Sequence, residues 1–484
     1  MLKLNKATYM DKLHACWLGK NIGGTLGAPY EGSRELRDVK GFVTKKGEPL
    51  PNDDLDLQLV WLVAMERMGP ARVDANVLSN YWLECIPPYW NEYGTCKTNL
   101  RQGLLPPMSG EVDNEKWKSS NGAWIRSEIW ATLCPGVSDV AIKYAVADAM
   151  VDHGLSEGTH AEVFTATLQS LAFVESDIRK LLDAALSKIP AQSAVAKSVR
   201  LVMECYDAGV DYKETRERVV KLNEALGWFQ APNNLGFMTI GLLYGEGDFK
   251  KSVLYAVNCG DDTDCTAATV GATLGIIGGM AAIPADWAEY VGDGIVTISI
   301  TAMHQHRSPQ TCTELAERVA ALVPRVMADN KIKFELTEGE SELPAEFLGK
   351  YNSTAPEKYF AFSPWSYEIT HYQLFRTRVE LNDTPRVAPG NVRRVKLTVY
   401  AHPDLRETHK LEFRLLLPEG WTAGHYQRTA LLEYPQPLHG IYGETSIEFD
   451  VTVGERVDTV NRAYMEIVSQ NYSMPMMIPI AFIG

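Results

Sequence analysis

Eight cysteines, at positions 16, 85, 96, 134, 205, 259, 265 and 312, are spread through the 484 residues without a single CxxC pair. No zinc-motif spacing appears, which excludes the common structural zinc folds. Residues 1–20 hold no long apolar run, so no secretory signal is expected. Scattered reduced thiols then fit a cytoplasmic protein. Basic residues are in deficit: 47 Lys and Arg against 61 Asp and Glu leave a net charge of −14. Such a surface repels nucleic acid and anionic lipid at long range. The doublets Arg393-Arg394 and Lys250-Lys251 are too small for a nucleic-acid footprint. Neither a nucleic-acid nor a membrane partner is expected. Residues 267–283 form the most apolar stretch, but it is glycine-rich, begins beside three aspartates and ends at Pro284. A membrane span needs about 20 apolar residues without such a charged end, so a core helix is the reading. GxGxxG spacing is missing from the glycine-rich stretch 19–31, and no strand precedes it, which excludes a dinucleotide loop.

What is present is an ordinary globular composition, 45% hydrophobic and 10% aromatic, enough for two to three domains. Apolar residues at i, i+3 and i+4 predict helices over 55–68, 139–151 (with Ser138 as N-cap), 160–174, 177–189, 194–206, 212–226, 237–244, 249–257, 266–279 and 313–327. Past about residue 330 the period changes to two. Val395, Leu397 and Val399 alternate with polar neighbours, as do Leu411, Phe413 and Leu415, and Ile447, Phe449, Val451 and Val453. Turn signals such as Pro418-Glu419-Gly420 separate the runs, the mark of an antiparallel β-sandwich. The expected division is a helical domain over 1–335, a linker over 336–354 and an Ig-like sandwich over 355–484.

Two acidic clusters carry chemistry. Asn52-Asp53-Asp54-Leu55-Asp56 opens one apolar helix and Asp261-Asp262-Thr263-Asp264-Cys265 opens another. One acidic residue suffices to cap a helix. Three at the mouth of a buried helix repel one another unless a positive charge sits among them. Two such clusters predict bound metal, and hard oxygen donors select Mg²⁺, with Mn²⁺ or Ca²⁺ as the alternatives. Glu31, just past the glycine run, is a further candidate ligand or base. Tyr81, Trp82, Tyr89, Trp90 and Tyr93 form an aromatic cluster, read either as a packed corner or as a stacking surface for sugar or base.

Five landmarks in order make the chain resemble the ADP-ribosylglycohydrolase family, the dinitrogenase reductase-activating glycohydrolases included, over about residues 8–300. They are Leu26-Gly27-Ala28-Pro29-Tyr30-Glu31, Asn52-Asp53-Asp54-Leu55, Asn121-Gly122-Ala123-Trp124-Ile125-Arg126, Thr159-His160 and Gly260-Asp261-Asp262-Thr263-Asp264-Cys265. The resemblance implies an all-α ADP-ribosylglycohydrolase-like bundle with two Mg²⁺ ions in a central cleft, here followed by the antiparallel sandwich. It implies metal ligands at Glu31, Asn52, Asp53, Asp54, Asp262, Asp264 and Cys265. Catalytic roles fall to Glu31, Asp54 and Asp262, and substrate contacts to Gly27, Asn121, Gly122, Arg126 and His160. Asn52, Leu55 and Cys265 stand where the family keeps threonines. The implied activity is metal-dependent hydrolysis of an N- or O-glycosidic bond at a ribosyl anomeric carbon, through an oxocarbenium-like state. The implied partner is a small-molecule or protein-linked ribosyl or glycoside substrate, ADP-ribosyl groups first among them. A glycosidase acting through the same site on another glycoside or nucleoside-like molecule is the alternative, and a non-catalytic member is the second.

Overall fold

Asn5 begins the helical part of the chain: its side chain accepts from the Thr8 N–H at 2.8 Å and caps a helix, Lys6–Gly27, that runs straight through the glycine-rich stretch. Glycine in a helix interior costs roughly 0.5–1 kcal/mol relative to alanine, so packing must favour it. Gly19, Gly23 and Gly27 lie four residues apart on one face, and the helix Thr263–Gly278 crosses that face antiparallel. A Cβ on Gly19 would stand 2.3 Å from the Gly271 carbonyl oxygen, one on Gly23 2.2 Å from that of Ala267, and one on Gly27 2.3 Å from that of Thr263. Only bare backbone fits, and the two helices approach at van der Waals contact. The pair is the spine of the helical unit. The Thr263 helix is long and apolar enough to cross a membrane, yet its residues from Thr263 to Ile276 are buried, so it is a core helix.

The structure is a computed structural model that describes residues 1–370, 372, 375–470 and 472–484. The chain divides into two compact units, residues 1–95 with 113–361, and residues 96–112 with 362–484. The first is helical apart from a two-stranded parallel ladder between Leu2–Asn5 and Phe334–Thr337. Helices Asp53–Met68, Ser138–His153, Glu157–Ala172, Ala194–Asp207, Phe249–Asn258 and Cys312–Asp329 match the apolar periodicity within a few residues, whereas Ala231–Tyr244 begins well before the expected start at 237. Ser138 does not cap: it is the first helical residue after Val137, and its N–H donates to Asn352 Oδ1 at 2.7 Å. Residues 345–361 pack within this unit. The Lys188 ammonium donates to the Asn352 and Thr354 carbonyls at 2.6 and 3.0 Å, and Thr354 Oγ1 donates to Asp139 at 2.7 Å.

The second unit is two antiparallel sheets over one apolar core. One orders Ser366–Ile369, Phe375–Leu381, Val392–Ala401, Glu444–Thr452 and Thr422–Ala423. The other orders Tyr472–Ile483, Val460–Ser469, His409–Leu416 and Gln427–Leu432. Val395, Leu397, Leu411, Phe413, Phe449 and Val451 point inward as the alternation requires. Leu104, Met108 and Val112 join this core from the helical part of the sequence, and Asn99 Nδ2 fastens their turn by donating to the Ser109 and Val112 carbonyls at 2.9 and 2.7 Å.

Candidate functional site

The glycine-packed helix pair delivers the end of the first helix to the start of the Thr263 helix. Thr263 Oγ1 donates to the Gly27 carbonyl at 2.8 Å. Past a short 3₁₀ turn, Ala28–Tyr30, Glu31 follows. A backbone ladder fixes it there: Gly32 N–H donates to the Asp261 carbonyl at 3.0 Å, and Asp261 N–H to the Ser33 carbonyl at 2.8 Å. The acidic turn reverses through two left-handed residues, Gly260 at φ 78° and Asp261 at φ 59°. A side chain at Gly260 would strike the Ser33 and Glu35 carbonyls. The Asp261 carboxylate is spent on this architecture: Arg34 grips it through Nε and Nη2, each at 3.0 Å.

Asp262 and Asp264 are free of that task. Asn234 Oδ1 accepts from the Asp262 N–H at 3.1 Å, and Asn121 Nδ2 donates to Asp262 Oδ2 at 2.7 Å. Asn121 is held in turn by Trp124 Nε1, at 2.9 Å from its Oδ1. On the helix Asp53–Met68, the Asn52 side chain caps by accepting from Asp54 N–H at 2.8 Å. Its amide nitrogen fills the space a Cβ on Gly24 would take. Tyr93 OH donates to Asp53 at 3.1 Å. Asp56 turns away from the cluster and accepts from the Ile298 and Ser299 N–H groups at 2.7 and 2.6 Å.

Donor oxygens of Glu31, Asp262 and Asp264 lie within 4.8 Å of one another, and so do donors of Asp54, Asp264 and Cys265. Asp262 and Asp264 are buried, whereas Glu31 is an exposed residue whose carboxyl turns in toward them. Asp54 Oδ2, Asp262 Oδ1 and Asp264 Oδ1 are buried with no hydrogen-bond partner. Burial first, and then the neighbouring carboxylates, push Glu31 up to about 8. The same causes lift Asp53 to about 6 and hold Asp262 well above the carboxylate range. Asp54 is raised well above that range by burial, against the pull of Lys20. Crowded, buried acids with unsatisfied oxygens are the environment a hard dication relieves. The residues present therefore fit a divalent metal.

Sequence reasoning missed the cation already there. Lys20, fully buried, donates to the Ile125 carbonyl at 2.7 Å, and its ammonium lies 3.1 Å from Glu128 and 3.8 Å from Asp54. Gln58 and Gln169 each donate to Glu128 at 3.0 Å. Residues 15–27 of that helix are all buried, so the place of this lysine shows only in the folded chain. Cys265 Sγ donates to Asp54 Oδ1 at 3.3 Å, and burial ahead of its acidic neighbours keeps the thiol protonated.

The other sequence-predicted residues scatter. Arg126 is fully buried with its guanidinium in ion pairs to Asp148 and Asp152, at 2.9 and 2.8 Å, 5.2 Å above the Trp82 ring. His160 faces Glu157 at 3.6 Å and the Phe360 ring edge. Gly122 backs onto Glu92, whose Oε1 would lie 2.0 Å from a Cβ there. Around Glu92 sits a second buried group: Ser120 Oγ is 3.1 Å from His153 Nε2, and His153 Nδ1 is 3.0 Å from Asp152. The aromatic cluster splits. Trp82 is core, in edge contact with Tyr93. Tyr89 and Trp90 stay 53% and 46% exposed, and Trp90 stacks on Tyr93 at 6.3 Å.

The sequence model of the ADP-ribosylglycohydrolase family matches residues 5–329. The chain belongs to that family. An uncharacterized protein of Archaeoglobus fulgidus is 25% identical over 304 residues, 58% of this chain and 92% of that one. A solved structure described as an ADP-ribosylglycohydrolase-related protein complex is 19% identical, covers 67% of this chain and 99% of its own, and superimposes with a TM-score of 0.43.

Proposed function

We propose that this protein is a divalent-metal-dependent hydrolase that cleaves a glycosidic bond at a ribosyl anomeric carbon, with ADP-ribosyl groups as its substrates. The observation that carries the reading is the Glu31–Asp262–Asp264 group. Two buried carboxylates with unsatisfied oxygens adjoin a third that solvent reaches. Glu31, Asp262 and Asp264 would hold the cation, with Asp53 and Asp54 adjoining. Mg²⁺ is the first candidate, since every donor of that group is a carboxylate oxygen. A bound dication supplies Lewis-acid polarisation and orients sugar hydroxyls. The chain's own groups do the rest. Glu31, alone of the three at the surface, is placed to take the proton of an attacking water. Asp262 offers negative charge to an oxocarbenium-like centre, while Asp54 is paired with Lys20. Asn121 positions Asp262 through its amide, while Gly27 and Gly122 face the Thr263 backbone and the Glu92 carboxyl rather than open space.

Metal-stripped protein incubated with ADP-ribosylated arginine and serine peptides tests this. Release of ADP-ribose on addition of Mg²⁺ or Mn²⁺, and its loss in Asp54→Ala, is the expected result. No release with any dication rejects the reading. A second reading, a glycosidase for a different sugar, is favoured by the exposed Trp90 ring stacked on Tyr93, which itself contacts Asp53. Aromatic faces stack on sugars and bases alike. A glycoside and nucleoside panel run under the same conditions separates the two.

A further inference from the structure

The family resemblance implies two ions, and the acidic donors do fall into two groups that share Asp264. The groups are not equivalent. Among the described residues no lysine or arginine forms an ion pair with Glu31, Asp262 or Asp264, the Lys20 charge acting on Asp264 only from beyond ion-pair distance, and Asp262 Oδ1 and Asp264 Oδ1 have no hydrogen-bond partner. Around Asp54 one oxygen is hydrogen-bonded and the other, though it has no hydrogen-bond partner, faces a cation. Cys265 Sγ donates to Oδ1 at 3.3 Å, and the Lys20 ammonium faces Oδ2 at 3.8 Å.

Lys20 cannot swing away from that position without loss. It is fully buried, it donates to the Ile125 carbonyl at 2.7 Å, and it is Glu128's cationic partner at 3.1 Å. Removing it would leave Asp54 and Glu128 buried and unpaired, the expensive half of a buried ion pair. A dication seated on Asp54 would lie within a few ångströms of an ammonium in a dry interior, where like charges repel far more strongly than in water. The third donor of that group compounds the mismatch. A soft thiol is a poor ligand for a hard ion, and here it is already used as a hydrogen-bond donor.

We infer that Lys20 is a built-in substitute for the second metal ion, so that the chain binds a single divalent cation at Glu31, Asp262 and Asp264. This rests on the metal reading of the same site. It assigns Lys20 a positioning role: its ammonium neutralises Asp54 and Glu128 and keeps the Asp54 side of the cleft closed to a second ion.

The test is a count of ions. Chelator-stripped protein is titrated with Mn²⁺ alone, and bound ions are counted by electron paramagnetic resonance of free Mn²⁺ and by native mass spectrometry. Wild type is expected to bind one ion per chain, Asp262→Asn none, and Asp54→Asn one. Lys20→Met is expected to gain a second. Should Lys20→Met not fold, as circular dichroism would report, Lys20→Met/Glu128→Gln removes both members of the pair and is expected to bind two. Two ions on wild type, or one on the folded Lys20 variants, overturns the inference while leaving the metal reading intact. Loss of the ion in Asp54→Asn overturns its placement. No ion on wild type overturns both.

Discussion

Thr263 donates its hydroxyl to the carbonyl of Gly27 at the point where two buried helices touch backbone to backbone. That contact sets the spacing between Glu31, four residues beyond Gly27, and Asp262, one residue before Thr263. The acidic site is thus a consequence of helix packing, and the packing is a consequence of missing side chains.

Substituting those glycines should therefore injure site and fold together. A Cβ on Gly23 meets the Ala267 backbone at 2.2 Å, which only helix separation relieves. Gly23→Ala should destabilise the protein by about 1–3 kcal/mol in urea titrations and weaken Mn²⁺ binding. Gly227→Ala, where a Cβ meets nothing within 4 Å, serves as the control. Equal stability of the two variants would contradict the packing account.

Asn121 touches Asp262 directly, and a side chain that orients a ligand typically tunes metal affinity by roughly 10–100-fold. Asn121→Ala should lower Mn²⁺ affinity by that order in calorimetric titration without unfolding the helices. An unchanged affinity would separate Asn121 from the metal site.

The crowded carboxylates make a pH prediction. Asp53 and Glu31 titrate higher in the folded chain, at about 6 and about 8, than in an unfolded one, near 4. The folded state then holds more protons than the unfolded state between these values, so stability falls as pH rises. The bound is about 1.4 kcal/mol per pH unit for each group, and less for Glu31, whose exposure lets water screen the repulsion. Metal-free protein should melt lower at pH 8 than at pH 5, and saturating Mg²⁺ should shrink that difference. Melting curves whose pH dependence ignores Mg²⁺ would argue against a shared site.

Glu92 supplies an independent pH effect. Burial, only partly offset by His153, lifts it to about 7. The raised value means its contribution is complete below the ordinary carboxylate range and is lost as pH climbs through 7. Glu92→Gln cannot ionise, so its melting temperature relative to wild type should rise between pH 5 and pH 8. A constant difference across that interval would mean that Glu92 does not ionise there.

Much of this was legible in the sequence because the signals were local. Caps, apolar periods and period-two alternation marked most of the helices and the main strands, and the paired acidic motifs pointed to the clustered aspartates. The glycine run 19–31 was harder. Its glycine density fits a close approach of helices or of a ligand alike, and only the second run of small residues opposite it makes it a backbone-to-backbone helix contact. Lys20 was invisible for a related reason. Its charge suggested surface, and only the three-dimensional neighbourhood of Glu128 and Asp54 explains its burial. Residues 96–112 read as part of the helical region, yet Leu104, Met108 and Val112 belong to the core of the β unit. That assignment depends on partners more than 250 residues away, which no local pattern encodes.

Anomalous diffraction from crystals soaked in Mn²⁺ tests the central claim most directly. The account predicts one anomalous peak, bonded at roughly 2.0–2.2 Å to carboxylate oxygens of Glu31, Asp262 and Asp264, the distance expected for a small hard dication, with the Lys20 ammonium still beside Asp54. A soak that leaves those three carboxylates without metal, or that places an ion on Asp54 and Cys265 instead, would contradict it.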